Sequence, residues 1–478
     1  MTSQAPVLTV LAVEPFERAF KNRMTFRFGN IVSTGGRQAV LRLLVRLADG
    51  REGWGYAAES IGGKWFDKRP ELTDDQAADQ LRRSLAMAAD IYVASKPRTP
   101  FRFFADHYAD HVAACSAKGL LPLVASYGPA LLDRAILDAV CRLEGVSFYG
   151  AMQANLPGME AHAIVPDMAG FDFPRFLAEL KPAPSMAARH TVGMVDPLVA
   201  SDQAPADRVN DGLPETLEEV VAAYGQRYFK LKVGGDLKAD IDRLSKIASV
   251  LDRMTEPYFA TIDGNEQYAT AEAALELWHV IEATPALERL ARSTLFVEQP
   301  IARQMALSTS VEPFTKAKPL IIDESDGEID SFPRARTLGY DGVSSKACKG
   351  FYKSVINRAR CEKWNAEGTA RRYFMSAEDL TVHAGVSLQQ DLALVNYIGL
   401  THVERNGHHF VDGFCERPAS EADAFLAAHP DLYHRDHGKV RLRIEQGMLR
   451  LASLDCVGFG HAPVPDFAQL TSMPVPRG

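Results

Sequence analysis

Lys230 and Lys232 occupy alternate positions of the apolar run YFKLKV, just before a glycine pair. Downstream, Asp263 closes the run FATID, Glu298 closes LFVE, Asp323 closes PLIID and Lys346 closes GVSSK. Alternate side chains of a strand leave on one face, so the two ammonium groups share a face and Leu231 takes the other. Three carboxylates with no histidine or cysteine among them are hard oxygen ligands, and they suit Mg2+. Zn2+ would bring His or Cys, and Ca2+ would ask for more ligands. An ammonium beside a second cation and a metal is pushed toward the neutral amine, and a lysine so tuned serves as a general base near neutral pH. Lys232 is therefore the candidate acid/base, with Lys230 as the adjacent charge and a partner of the metal carboxylates.

Each of these features alone has a plain structural reading. A strand-end Asp is usually a cap or turn residue, and a lysine pair is commonly a solvated strand edge. Their order, one per unit over consecutive units, is what sets them apart. The pair His408 and His409 in NGHHF is expected not to chelate one ion, because adjacent residues on a strand face opposite ways.

The elements that must position these groups form a rhythm. Helical patterns over 216–226, 238–254 and 270–283 each lead into a short apolar run, and PLIIDES, GVSSKACKG, RYFMSAEDL and THVERNGHHF follow. Such alternation predicts βα units around a parallel sheet. With a strand over 188–198 there are eight, which predicts a closed (β/α)8 (TIM) barrel with the charged strand ends gathered on one face. Before it, residues 38–59 read as a hairpin across ADGREG, and 72–94 and 128–145 as helices, the first capped by Thr73 or Asp74 and the second stopped at Gly145. The expected organisation is an α+β capping domain over 1–155, a barrel domain over 156–417 whose stretch 156–187 is a connecting region, and a return to the cap over 418–478. The cap is thus formed by the N-terminal segment and the C-terminal tail. The stretches 22–30 and 57–66 are candidate lids, with Arg23, Arg27 and Lys64 placed to meet an anionic substrate.

The chain has 478 residues and a formal net charge of −8. That charge argues against a general nucleic-acid binder. The six cysteines form no CxxC, so reduced thiols in a cytoplasmic protein are the default reading. There is no signal-peptide pattern and no apolar run long enough to span a membrane.

The ordered set KxK, DGN, EQP, DES and a sixth-strand lysine resembles the enolase superfamily, in particular its muconate-lactonizing-enzyme-like branch. The resemblance also covers VLRLLVRLADGREGWGYAAE in the cap and GFGHAP in the tail. It implies Asp263, Glu298 and Asp323 as Mg2+ ligands, with Glu324 as the neighbouring alternative to Asp323. It implies Lys232 as acid/base, Lys230 as its charge partner, Lys346 as the lysine across the substrate, Lys349 as a further lining residue and Asn265 as a residue beside the first ligand. A small-molecule carboxylate substrate and a homo-oligomer are implied with it. The implied reaction is Mg2+-dependent removal of a proton α to a carboxylate through a metal-stabilised enediolate. It would end in racemisation or epimerisation, cycloisomerisation, or elimination. Glu378 and Lys346 stand where the mandelate-racemase branch carries a histidine and an aspartate, which argues against that branch; His383 lies five residues after Glu378. Two rival readings are a Schiff-base lyase with Lys232 as nucleophile, and a catalytically silent barrel scaffold.

Overall fold

The computed structural model describes residues 5–368 and 372–476. The chain opens with three antiparallel strands, β1 (Leu8–Phe28), β2 (Ile31–Leu47) and β3 (Glu52–Ser60). The β2–β3 turn falls at the expected Asp-Gly. The segment over 22–30 is the tip of a long β1–β2 hairpin rather than a loop, closed by Gly29 at φ 49°.

Two helices cover one face of this sheet, α1 (Asp74–Ala94) and α3 (Pro122–Glu144), and α2 (Pro100–Ala117) packs against both. Thr73 caps α1 in a reciprocal capping box with Gln76, and Asp74 and Asp75 complement its N-terminal dipole. α3 starts at a proline and ends at Gly145 in the left-handed conformation. β3 packs so closely on α3 that a Cβ at Gly55 would lie 1.9 Å from the Ala135 carbonyl oxygen.

The barrel follows: β4 (Ser185–Val192), β5 (Tyr228–Lys232), β6 (Phe259–Asp263), β7 (Thr294–Glu298), β8 (Leu320–Ile322), β9 (Gly342–Ser345), β10 (Phe374–Ala377) and β11 (His402–Glu404). Each pairs in parallel with the next, and β11 pairs with β4, so the sheet closes. The first strand runs over 185–192, three residues earlier at its start than the sequence pattern suggests. Leu231, Ile262, Val297 and Ile322 are fully or almost fully buried outside the strands, against the ring of helices. Among those helices are α4 (Leu217–Tyr224), α5 (Leu237–Leu251), α6 (Ala271–Ala283), α7 (Ser331–Thr337), α8 (Phe351–Ala366) and α9 (Val386–Tyr397).

The tail serves both parts. β12 (Tyr433–Asp436) and β13 (Lys439–Leu442) form a hairpin, β14 (Met448–Arg450) adds antiparallel to β4, and β15 (Thr471–Ser472) pairs with β1. The stretch 193–216 is a long excursion between β4 and α4. It meets the hairpin tip, where the Met194 amide donates to the Arg27 carbonyl.

Gly55→Ala is expected to lower stability by about 3 kcal/mol, because the clash is with helix backbone and only a shift of β3 relieves it. Urea denaturation of the variant against the parent checks this.

Candidate active site

Closure of the sheet sets the geometry. β5 and β9 are four strands apart in a ring of eight, so Lys232 and Lys346 leave opposite walls of the barrel mouth. Between them, on one side, stand Asp263, Glu298 and Asp323 at the ends of β6, β7 and β8. On the other side stand Glu378 and Glu404, at the ends of β10 and β11. All seven side chains are buried. These ends form the C-terminal face of the barrel, where catalytic groups of such folds gather.

Lys230 lies one layer deeper and touches four carboxylates. Its Nζ is 2.9 Å from Asp263 Oδ2, 2.7 Å from Glu298 Oε2, 2.7 Å from Glu378 Oε2 and 3.1 Å from Glu404 Oε2. Burial alone would pull this ammonium down, but the four carboxylates outweigh it and hold Lys230 well above the ordinary lysine range. Lys230 is therefore a fixed positive charge that the carboxylates share. Lys232 Nζ donates to Asp263 Oδ2 at 2.5 Å. Across the barrel, Lys346 pairs with Asp323 and lies 4.2 Å from the centroid of the Trp65 ring. Burial opposes the Lys346 charge and Asp323 outweighs it, so its ammonium too is held above the ordinary value.

The carboxylates divide by their neighbours. Against the cost of burial, Lys346 and Lys349 hold Asp323 well below the usual range, and Lys230 and Lys232 lower Asp263. Glu298 goes the other way: burial, then Asp263 and Glu378, raise it well above the usual range, and Lys230 does not offset them. Gln299 orients the third ligand candidate, its Oε1 accepting from the Asp323 amide at 2.8 Å and the Ser325 amide at 3.2 Å.

The other sequence candidates fall into two groups. Lys349 reaches Asp323 Oδ1 (3.3 Å) and Ser344 Oγ (2.6 Å). The Asn265 amide donates to Asp263 Oδ1 (2.9 Å), and its Nδ2 to Glu324 Oε1 (3.3 Å). Glu378 also pairs with Arg189, which fills the barrel below. Arg23, Arg27 and Lys64, by contrast, are engaged in holding the cap. Arg23 pairs with Asp211 (2.6 Å) and donates to the His409 carbonyl (2.9 Å), Arg27 donates to the Gly29 carbonyl, and Lys64 donates to the carbonyls of Arg69 and Leu72. Trp65, Lys68, Arg189 and Gln299 are the site-region residues that sequence reasoning passed over. Only Gln299 carried a signal, as the middle residue of EQP.

The backbone is strained around this rim. Asn265 (φ 41°), Glu266 (φ 71°), Gln299 (φ 35°) and Thr381 (φ 51°) all lie just beyond barrel strands, and none is glycine. A cavity of about 400 Å3 opens alongside, with Phe20, Phe26, Phe28, Ile61, Trp65 and Leu380 among its lining. A larger one of about 510 Å3 lies at the opposite end of the barrel, near Phe374 and His402, away from the carboxylates.

Asp263, Glu298 and Asp323 offer the donor chemistry of a hard divalent cation. Among the described residues, no three acidic, His or Cys side chains converge closely enough to chelate an ion as they stand. The ammonium groups of Lys232 and Lys346 sit on the carboxylate oxygens that such a cation would take. They act as stand-in charges on the Asp263 and Asp323 oxygens. The residues thus fit Mg2+ once those two ammonium groups turn away.

His408 and His409 lie in a short helical turn (Gly407–Phe410), not on a strand, and both pack on His190. The His190 ring centroid is 4.8 Å from that of His409 and 6.0 Å from that of His408. Burial holds all three far below the usual imidazole value, His190 at about 3.

No protein-family model matches the chain, and no curated protein matches it. Solved structures do. A dipeptide epimerase from Enterococcus faecalis V583, complexed with Mg and a dipeptide, superposes with a TM-score of 0.59 at 14% identity, over 95% of this chain and 99% of that one. A racemase from Streptomyces coelicolor A3(2) with bound magnesium gives 0.56 at 13%, over 96% and 98%. A member of the enolase superfamily from Roseovarius nubinhibens ISM gives 0.54 at 17%, over 96% and 97%. The chain has the enolase-superfamily fold. At these identities the likeness carries the barrel and its cap, not the chemistry.

Two outcomes are expected. Lys230→Met leaves four buried carboxylates without their shared cation and lowers stability by about 3–5 kcal/mol, measurable by urea denaturation. Stability also falls as pH drops from about 6.5 toward 4, since the unfolded chain protonates imidazoles that the folded state keeps neutral, at about 2 kcal/mol for each by pH 5. Melting curves at pH 7 and pH 5 test this, with a shallower fall expected for His409→Gln.

Proposed function

We propose that the protein removes a proton α to a carboxylate of a small-molecule acid in a Mg2+-dependent reaction. The completed reaction is a racemisation or epimerisation, a cycloisomerisation, or an elimination. The observation that carries this reading is the pair of buried lysines on opposite walls, with three carboxylates on consecutive strand ends between them. The enolase-superfamily structures of the same fold, some with bound magnesium, support it.

Asp263, Glu298 and Asp323 would hold the ion, which when bound supplies positive charge to the substrate carboxylate and so acidifies its α-proton. The chain's own residues do the rest. Lys232 Nζ, freed from Asp263, takes the proton from one face of the substrate carbon. Lys346 Nζ, freed from Asp323, faces the other side and delivers or removes a proton there. Lys230 keeps the carboxylates together without taking part in proton transfer, because it stays charged. Trp65 covers Lys346 and excludes water from it.

Deuterium exchange tests the reading. A library of carboxylic acids is incubated in D2O with Mg2+ and parent protein, Lys232→Ala or Lys346→Ala. The expected result is α-deuterium incorporation that stops with EDTA and falls at least about 100-fold in the Lys232 variant. Exchange that survives EDTA, or borohydride trapping of a carbonyl substrate on Lys232, would favour the Schiff-base lyase instead. Bound Mg2+ with no exchange across the library would leave the scaffold reading in front.

A further inference from the structure

The segment that follows β3 crosses from the cap onto the barrel rim and is fastened there by charge. Arg303, beyond β7, donates to the carbonyls of Trp65 (3.0 Å) and Phe66 (2.7 Å), and both ends of its guanidinium bond Glu266 at 2.8 Å. Lys68 completes the fastening. Its Nζ is 2.7 Å from Glu266 Oε2, and it donates to the Asn265 carbonyl at 3.2 Å and to Glu324 Oε1 at 3.0 Å. Glu324 is buried, follows Asp323 directly, and leaves its second oxygen, Oε2, without a hydrogen-bond partner.

Two adjacent carboxylates thus compete for one role beside the candidate metal site. Asp323 is held toward the barrel axis by Lys346, Lys349 and Gln299. Glu324 is held by a cation from the cap. We infer that Lys68 is a positioning residue that keeps Glu324 out of the metal coordination, so that Asp323 is the third ligand and the cap segment is coupled to metal affinity. The inference rests on the Mg2+ reading above. An ammonium that claims Glu324 opposes a divalent ion beside it, and removing that ammonium leaves a buried carboxylate held only by the Asn265 side-chain amide, with its Oε2 free, next to the ion. By reciprocity, metal binding loosens the hold of Lys68 on the rim.

The test is titration calorimetry with Mg2+ alone on the parent protein, Lys68→Met, Lys68→Arg, Glu324→Gln and the Lys68→Met/Glu324→Gln double variant. Lys68→Met is expected to bind Mg2+ about 10-fold more tightly. Lys68→Arg and Glu324→Gln are expected within about threefold of the parent, and the double variant is expected to return to the parent value. Amide exchange of residues 61–72 is expected to quicken in Lys68→Met and to stay slow in Lys68→Arg. Equal affinity for the parent and Lys68→Met overturns the inference, as does loss of binding in Glu324→Gln, which would make Glu324 a ligand already. A parent protein that binds no Mg2+ overturns the metal reading itself, a result distinct from either.

Discussion

One ammonium holds the centre of this barrel together. Lys230 contacts carboxylates from β6 and β7 on one side and from β10 and β11 on the other. Without it, the mouth would bring several buried negative charges into one low-dielectric space, where each would have to take up a proton or turn outward. With it, the strand ends can carry acids at all. The apolar outward residues of the same strands, such as Leu231 and Ile262, meanwhile pay the cost of order by packing on the helices. The fold tolerates a charged interior because it alternates along five-residue strands.

The same alternation divides labour between depths. Arg189 and Lys230 sit in the lower layer as permanent cations tied to Glu378 and its neighbours. Lys232 and Lys346 sit at the rim, where each has one principal carboxylate partner. A cation with four partners is anchored, whereas a cation with one can exchange that partner for a substrate or an ion. The difference between a structural and a reactive lysine is here a matter of partner number, set by position along one strand.

Much of this was legible in the residues themselves. Helical patterns alternating with short apolar runs located the barrel strands, and charges at the strand ends marked the face on which the candidate site gathers. The α1 cap and the glycine stop of α3 followed from local chemistry at Thr73 and Gly145. The hairpin tip over 22–30 was less legible, because its aromatic and basic residues read equally well as a loop. α2 went unread as well; its pattern, rich in Phe and Ala, shows its apolar face only against α3. Lys68 was out of reach for a different reason. Its partner Glu324 is 256 positions away, and no local pattern reports a contact made across that separation. Arg23 shows the converse: a basic residue in a promising segment whose partner, Asp211, lies in an excursion with no readable period.

The tail has a consequence for how the molecule comes into being. The cap sheet gains its fourth strand from Thr471–Ser472, and the first barrel strand is flanked by Met448–Arg450. The β1–β2 hairpin precedes the whole barrel in the chain and the strand that covers its edge follows it, so that edge stays open while the barrel is made. The cap sheet therefore carries an open strand edge through the synthesis of the barrel, and it is complete only once Thr471–Ser472 has been made.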